Sequence, residues 1–168
     1  FVVSIAKALT PVIAKSAKSK AFVDGRKALW AQLDGIPKNK KVVWMHCASL
    51  GEHEQGLPVL TALKNNHPEH FYLVTFFSAS GYEVRKNHGV ADLATYLPWD
   101  TKADVKRFVA LVKPAMALLV KYEFWPNLIR ELQDKRVPLY LIAGLFRQNQ
   151  HFFKPCLLYT SPSPRDTR

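Results

Sequence analysis

The residues with the most chemical promise are His46-Cys47-Ala48-Ser49-Leu50-Gly51-Glu52. They follow a short β-type run, Val42 to Met45, and precede a helix-like run from Gln55 to about Asn65. A strand, a tight turn of small residues and a helix start form the joint at which α/β domains build their sites. A carboxylate placed there faces the crevice above the sheet and can act as a base on a substrate hydroxyl. Glu52 is therefore the candidate general base. Ser49 and Gly51 are candidate substrate contacts, Gly51 because it lets the backbone turn tightly and a substrate approach. The helix start offers free N–H groups to an anion. The same dipole favours a charged carboxylate and weakens it as a base, so Glu52 also fits the plainer role of complementing the dipole.

Three further groups call for chemical reading. Tyr122-Glu123-Phe124-Trp125-Pro126-Asn127 follows the most hydrophobic run of the chain. There Glu123 can orient a sugar hydroxyl or hold a neighbouring loop, and Trp125 can stack on a sugar or fill core. Ser78-Ala79-Ser80-Gly81 is a small polar turn suited to cradle a phosphate. It lacks the spacing of a Walker loop or a dinucleotide fingerprint, so Ser78 and Ser80 are candidate contacts only. His46, Cys47 and His53 show no CxxC or HExxH pattern, and strand alternation sends His46 and Cys47 to opposite sides. No metal and no cofactor are expected.

The elements that must position these groups alternate. Val42–His46 reads as a strand, then Gln55–Asn65 as a helix with Leu57, Leu60 and Leu63 near helical spacing. Phe71–Phe77 is a second strand. Ser80 and Glu83 have capping-box spacing and open a short helix that Gly89 can close. Leu93–Leu97 is a third strand. Asp100 or Thr101 caps a helix with Val105, Phe108, Val109 and Val112 on one face, ended by Pro114. Ala115–Val120 has the continuous apolar character of a central parallel strand. Pro126 suits the first turn of another helix, and Leu139–Ala143 is strand five. This alternation predicts an α/β fold: a Rossmann-like, mostly parallel sheet flanked by helices. Its carboxyl edge would gather Ser49, Gly51, Glu52, Ser78, Ser80, Trp99, Asp100, Tyr122, Glu123, Trp125, Gly144 and Arg147.

The 168 residues are 48% hydrophobic, enough for one domain with a real core. Two cysteines give no disulfide framework, so a reducing compartment is the default. A net charge of +11 favours anionic partners such as phosphorylated sugars, nucleotides or acidic lipid headgroups. No RNA-binding signature or recognition helix is present, and nucleic acid is not expected. Residues 1–41 carry Lys7, Lys15, Lys18, Lys20, Arg26, Lys27, Lys38, Lys40 and Lys41 against only Asp24 and Asp34. In the apolar run Phe1 to Ala14, Val2, Ile5, Leu9 and Val12 share one helical face. That run is shorter than the ~20 residues needed to span a bilayer. It reads as the end of a spanning helix cut at Phe1, as a helix lying in the interface, or as an ordinary surface helix. The expected division is a membrane-proximal basic arm over 1–41, a domain over 42–155, and a non-native or disordered tail over 156–168, the whole being a fragment.

Four ordered motifs resemble the N-terminal half of bacterial Kdo (3-deoxy-D-manno-octulosonic acid) transferases, over about Phe22 to Pro155. They are Trp44-Met45-His46-Cys47-Ala48-Ser49-Leu50-Gly51-Glu52, Thr75-Phe76-Phe77-Ser78-Ala79-Ser80-Gly81, Leu97-Pro98-Trp99-Asp100 and Glu123-Phe124-Trp125-Pro126-Asn127. The resemblance implies a two-domain GT-B glycosyltransferase that moves Kdo from CMP-Kdo to the lipid A precursor in lipopolysaccharide biosynthesis. It implies the cytoplasmic face of the inner membrane, peripheral or N-terminally anchored, with an anionic membrane surface as partner. Glu52 aligns with the family's proposed general base. Glu123 falls on the carboxylate of its Glu-x-Trp-Pro-Asn motif. Substrate contacts would come from Ser49, Gly51, Ser78, Ser80, Glu123 and Arg147. Lys121 stands where many relatives carry an acid, and Ala79 where proline is common. Most of the donor site would lie in a C-terminal domain outside this chain, so the fragment alone is expected to be inactive. A GT-B enzyme of other specificity and a non-enzymatic basic membrane-binding module are the alternatives.

Overall fold

A computed structural model describes residues 17–86 and 89–145. Phe1–Ala14, Arg147 and the tail from Cys156 lie outside the described residues. The order is α1 (Ala17–Asp34), β1 (Val42–Cys47), α2 (Leu50–Asn66), β2 (Phe71–Phe76), α3 (Ala79–Arg85), β3 (Leu93–Tyr96), α4 (Lys102–Val112), β4 (Pro114–Val120), α5 (Pro126–Asp134) and β5 (Leu139–Ile142). The strands form one parallel sheet in the order β3-β2-β1-β4-β5, the expected fold class. The strand order reverses at β1, where such sheets open their crevice.

Strand alternation divides the core into two layers. Val42 and Trp44 pack with Leu29 and Leu33 of α1, Phe108 and Val112 of α4, and Leu128 and Leu132 of α5. Val43, Met45 and Cys47 pack on the other face with Leu60 of α2. The structure places β1 at the centre, buried at all six positions. The more apolar β4 lies beside it and is continuously buried only from Ala117 onward, with Ala115 exposed and Met116 half-buried. Hydrophobic content marked a buried strand but did not distinguish the centre from its neighbour. Two glycines permit close approach. A Cβ on Gly25 would lie 2.1 Å from Tyr96 Cε2, and one on Gly56 would lie 2.6 Å from Met45 Sδ. Helices α1 and α2 therefore sit closer to the sheet than any side chain at those positions would allow.

Several boundaries differ from expectation. Helix α2 begins at Leu50, five residues before Gln55; its buried face opens with His53 and Gly56, which give no apolar signal before Leu60. Ser78, not Ser80, occupies the N-cap of α3, and its side chain makes no capping bond. Glu83 pairs instead with Lys86 at 2.5 Å. Pro114 opens β4; α4 ends at Val112, where Lys113 turns left-handed with φ 47°. Asp100 and Thr101 cap two different helices. Thr101 Oγ1 accepts from Asp104 N at the start of α4. Asp100 reaches α5, where its carboxylate accepts from Asn127 N at 3.2 Å and Leu128 N at 2.9 Å. Trp125, the local N-cap of α5, makes no side-chain cap bond, so Asp100 supplies that function from 25 residues earlier in the chain.

The stretch read as a basic arm contributes α1 to the domain. Leu29, Leu33 and Ile36 are buried, and Arg26 is turned inward with 6% exposure. No helix among the described residues is long and apolar enough to cross a membrane.

Candidate functional site

Beyond the ends of β1 and β2 the backbone stays paired: Phe77 N donates to Cys47 O and Ser78 N to Ala48 O at 2.8 Å. This brings the Ser49 loop beside the Ser78 loop at the carboxyl edge. Glu52, in the first turn of α2, folds back so that Oε2 accepts from Ala48 N at 2.5 Å. That bond holds the carboxylate by one of its oxygens. Gly51 is not in the left-handed region, so the tight-turn argument for it does not hold. A Cβ there would meet nothing within 4 Å, so the glycine marks open space beside Glu52. Ser78 Oγ and Ser80 Oγ lie 3.0 Å apart and bond each other, which uses part of the capacity a phosphate would need.

Glu123 follows β4 and is held from two sides. Its Oε2 accepts from Trp125 Nε1 at 2.8 Å and from His46 Nε2 at 3.1 Å. His46 is fully buried at the end of β1. Donating to Glu123 assigns a hydrogen to Nε2. In neutral His46, Nδ1 is then an acceptor and takes the hydroxyl hydrogen of Thr75, 2.9 Å away. Thr75 Oγ1 in turn accepts from Trp44 Nε1 at 2.9 Å. One directed chain thus runs Trp44, Thr75, His46, Glu123, with Trp125 closing the far end. Protonated His46 would instead donate Nδ1–H to the Thr75 carbonyl at 3.0 Å.

The two carboxylates belong to one electrostatic neighbourhood. Burial pushes the Cys47 thiol far up, and the charges of Glu52 and Glu123 push it further. Cys47 is therefore an inert packing residue between them, not a nucleophile. His46 faces the α1 side and Cys47 the α2 side, as strand alternation requires. Glu52 reaches the edge from one layer and Glu123 from the other.

Aromatic residues of the motifs and one cation from outside them complete the surroundings. Phe77 lies 5.1 Å from Trp125 and 6.5 Å from Trp99, ring centre to ring centre. The Arg26 guanidinium stacks 4.9 Å from both Phe77 and Trp99 and donates Nη2–H to Phe77 O at 3.0 Å. Burial lowers its pKa to about 10, with Tyr96 acting in the opposite sense, so it remains a cation at neutral pH. Arg26, Lys27, Trp30 and Trp99 line a cavity of about 410 Å³ on the α1 side. Sequence reasoning counted Arg26 with the arm. The signal that could have found it was the adjoining Gly25, a small residue within an apolar helical stripe. Of the expected contacts, the structure brings Ser49, Gly51, Glu52, Ser78, Ser80 and Glu123 to one edge. Arg147 lies outside the described residues.

Comparison with known proteins gives a consistent result. Residues 23–154 match the family described as 3-Deoxy-D-manno-octulosonic-acid transferase (kdotransferase). A 3-deoxy-D-manno-octulosonic acid transferase of Aquifex aeolicus is 42% identical over 97 residues, covering 57% of this chain and 27% of that protein. One of Haemophilus influenzae is 31% identical over 103 residues, covering 61% and 24%. A probable mitochondrial one of Arabidopsis thaliana is 32% identical over 118 residues, covering 67% and 26%. The chain spans about a quarter of the length of these relatives.

Proposed function

The chain belongs to the 3-deoxy-D-manno-octulosonic-acid transferase family, and from that premise we propose that it forms the acceptor-side, N-terminal part of a GT-B enzyme transferring Kdo from CMP-Kdo to the lipid A precursor. The observation that carries the reading is the Glu52 carboxylate, clasped by the Ala48 amide at the carboxyl edge beside the open space over Gly51. In the proposed reaction Glu52 takes the proton from an acceptor sugar hydroxyl. That oxygen bonds to the anomeric carbon of Kdo as the carbon–phosphate-oxygen bond breaks, and CMP departs with the electron pair. Glu123, fixed by His46 and Trp125, would orient acceptor hydroxyls or hold the adjoining loop.

The remainder of the longer protein would hold the donor, so this chain alone would lack transferase activity; the reacting atoms would not be aligned. The basic residues of 1–41 other than the buried Arg26 would attract the protein to the anionic cytoplasmic face of the inner membrane, at about 1 kcal/mol per basic group near the surface. Liposome sedimentation tests that part: binding should require acidic lipid and weaken with salt.

Glu52→Gln in the full-length protein tests the base. The amide keeps the size of the side chain and can still accept from Ala48 N, but it cannot take a proton. Turnover should fall about a hundred- to ten-thousand-fold with the fold intact. Near-normal turnover would reduce Glu52 to a helix-start carboxylate.

A further inference from the structure

A second cluster of ionisable groups lies at the opposite edge of the sheet, in the turn from α2 to β2. His67, Glu69 and His70 each bring one ligand atom within 4.8 Å of the others. Glu69 Oε1 is 2.8 Å from His70 Nδ1 and 3.4 Å from His67 Nδ1. The His70 Nδ1 contact is close but too oblique for a hydrogen bond, and that nitrogen has no hydrogen-bond partner although it is buried. The two imidazole rings lie 5.2 Å apart, centre to centre.

The two separations from Glu69 are close to those of a coordination sphere. Zinc bonds histidine nitrogen and carboxylate oxygen at about 2.0–2.2 Å, which in a tetrahedron puts the ligand atoms roughly 3.3 Å apart. The turn that carries them is anchored. His67 N donates to Leu63 O, and His70 N donates to His67 O. The hydroxyl of Tyr72, a fully buried residue, lies 2.8 Å from Leu63 O and 3.0 Å from His67 O. Pro68 restricts the backbone between the ligands. The ligands therefore need side-chain adjustment, not refolding, to converge on one ion.

We propose that His67, Glu69 and His70 form a site for a borderline divalent transition metal, zinc in class, with water in the fourth position. Two neutral imidazoles and one carboxylate favour such an ion over magnesium or calcium, which prefer all-oxygen shells. At the amino edge of the sheet, away from Glu52 and Glu123, the ion would clip α2 to β2 and take no part in transfer.

The test titrates Zn²⁺ and Co²⁺ into the chelator-treated 168-residue chain, by calorimetry and by the visible absorption of Co²⁺. Expected are one equivalent bound, a Co²⁺ band, and a rise in melting temperature on adding Zn²⁺ but not Mg²⁺. His67→Ala and His70→Ala should each weaken binding at least tenfold and abolish the thermal shift. His67 is more than half exposed, so its variant keeps the test valid if His70→Ala fails to fold. Absence of binding overturns the proposal. So does binding that His67→Ala leaves unchanged, because the ion would then sit elsewhere.

Discussion

Replacing Asp100 by alanine should destabilise the protein more than removing an ordinary helix cap. The residue is 6% exposed, and its carboxylate accepts from Leu128 N, Asn127 N and Asn127 Nδ2 at 2.9, 3.2 and 3.3 Å. An exposed N-cap residue contributes about 1 kcal/mol. A hydrogen bond to a charged group contributes about 1.5–3 kcal/mol, and an orphaned buried N–H costs about 1–3 kcal/mol. Alanine would lose the charge-assisted bonds and leave the buried Leu128 amide unsatisfied. It would also relieve the carboxylate's own desolvation, so the net is about 3 kcal/mol. The bond from Asn127 Nδ2 to the Asp100 carbonyl, at 2.6 Å, does not depend on the side chain and survives. With a urea slope of about 2 kcal/mol/M, the unfolding midpoint should fall by roughly 1.5 M. Asp100→Asn keeps one acceptor and should lose about half as much. Thr101→Ala, which removes the cap of α4 next door, should lose about 1 kcal/mol. Urea unfolding followed by circular dichroism measures all three. If Asp100→Ala loses no more than Thr101→Ala, capping from a distant segment is not what holds α5 in place.

Three further outcomes follow from packing and burial. Gly56→Ala puts a Cβ 2.6 Å from Met45 Sδ and 3.0 Å from Val120 Cγ2; thermal melts should show a loss of about 1–3 kcal/mol despite alanine's better helix propensity. In a Cys156→Ser background, the buried Cys47 thiol, with its raised pKa, should react with a thiol reagent only as fast as the protein opens; rapid stoichiometric labelling of the folded chain would contradict its burial. Burial lowers the pKa of His53 below 6.5, so the unfolded state takes up the proton first and stability should fall as pH drops below that value. Comparing urea midpoints at pH 7.5 and 5.5 should show a smaller pH dependence in His53→Gln than in the parent.

The sheet was legible in the sequence because its strands are short apolar runs separated by capping residues and prolines, signals that local chemistry writes directly. The two carboxylates were legible by position, since both follow strands at the edge where parallel sheets bind ligands. What holds them was not. His46 and Thr75 meet 29 residues apart, and His46 and Glu123 meet 77 apart, and no local pattern reports such contacts. The start of α2 was missed for a related reason: its buried face opens with His53 and Gly56, which carry no apolar periodicity. Arg26 was misassigned because charge counted along a chain cannot tell a cation in solvent from one stacked between aromatic rings.

Lys113, Lys121, Arg136 and Ala143 all hold positive φ, at 47°, 61°, 53° and 54°. They sit at the two ends of β4 and around β5. Lys113 and Arg136 lie at the amino edge, far from the carboxylates. Lys121 and Ala143 lie at the carboxyl edge, where Lys121 N also bonds Ile142 O. Glycine tolerates this geometry without the side-chain clash, an advantage of about 1 kcal/mol. The four positions thus divide into two kinds of reserve for an engineer or a lineage. Strain at the amino edge can be released at no cost to the crevice. Strain at the carboxyl edge sets the course of the backbone into Glu123, and relaxing it would exchange firmness of the site for robustness of the fold.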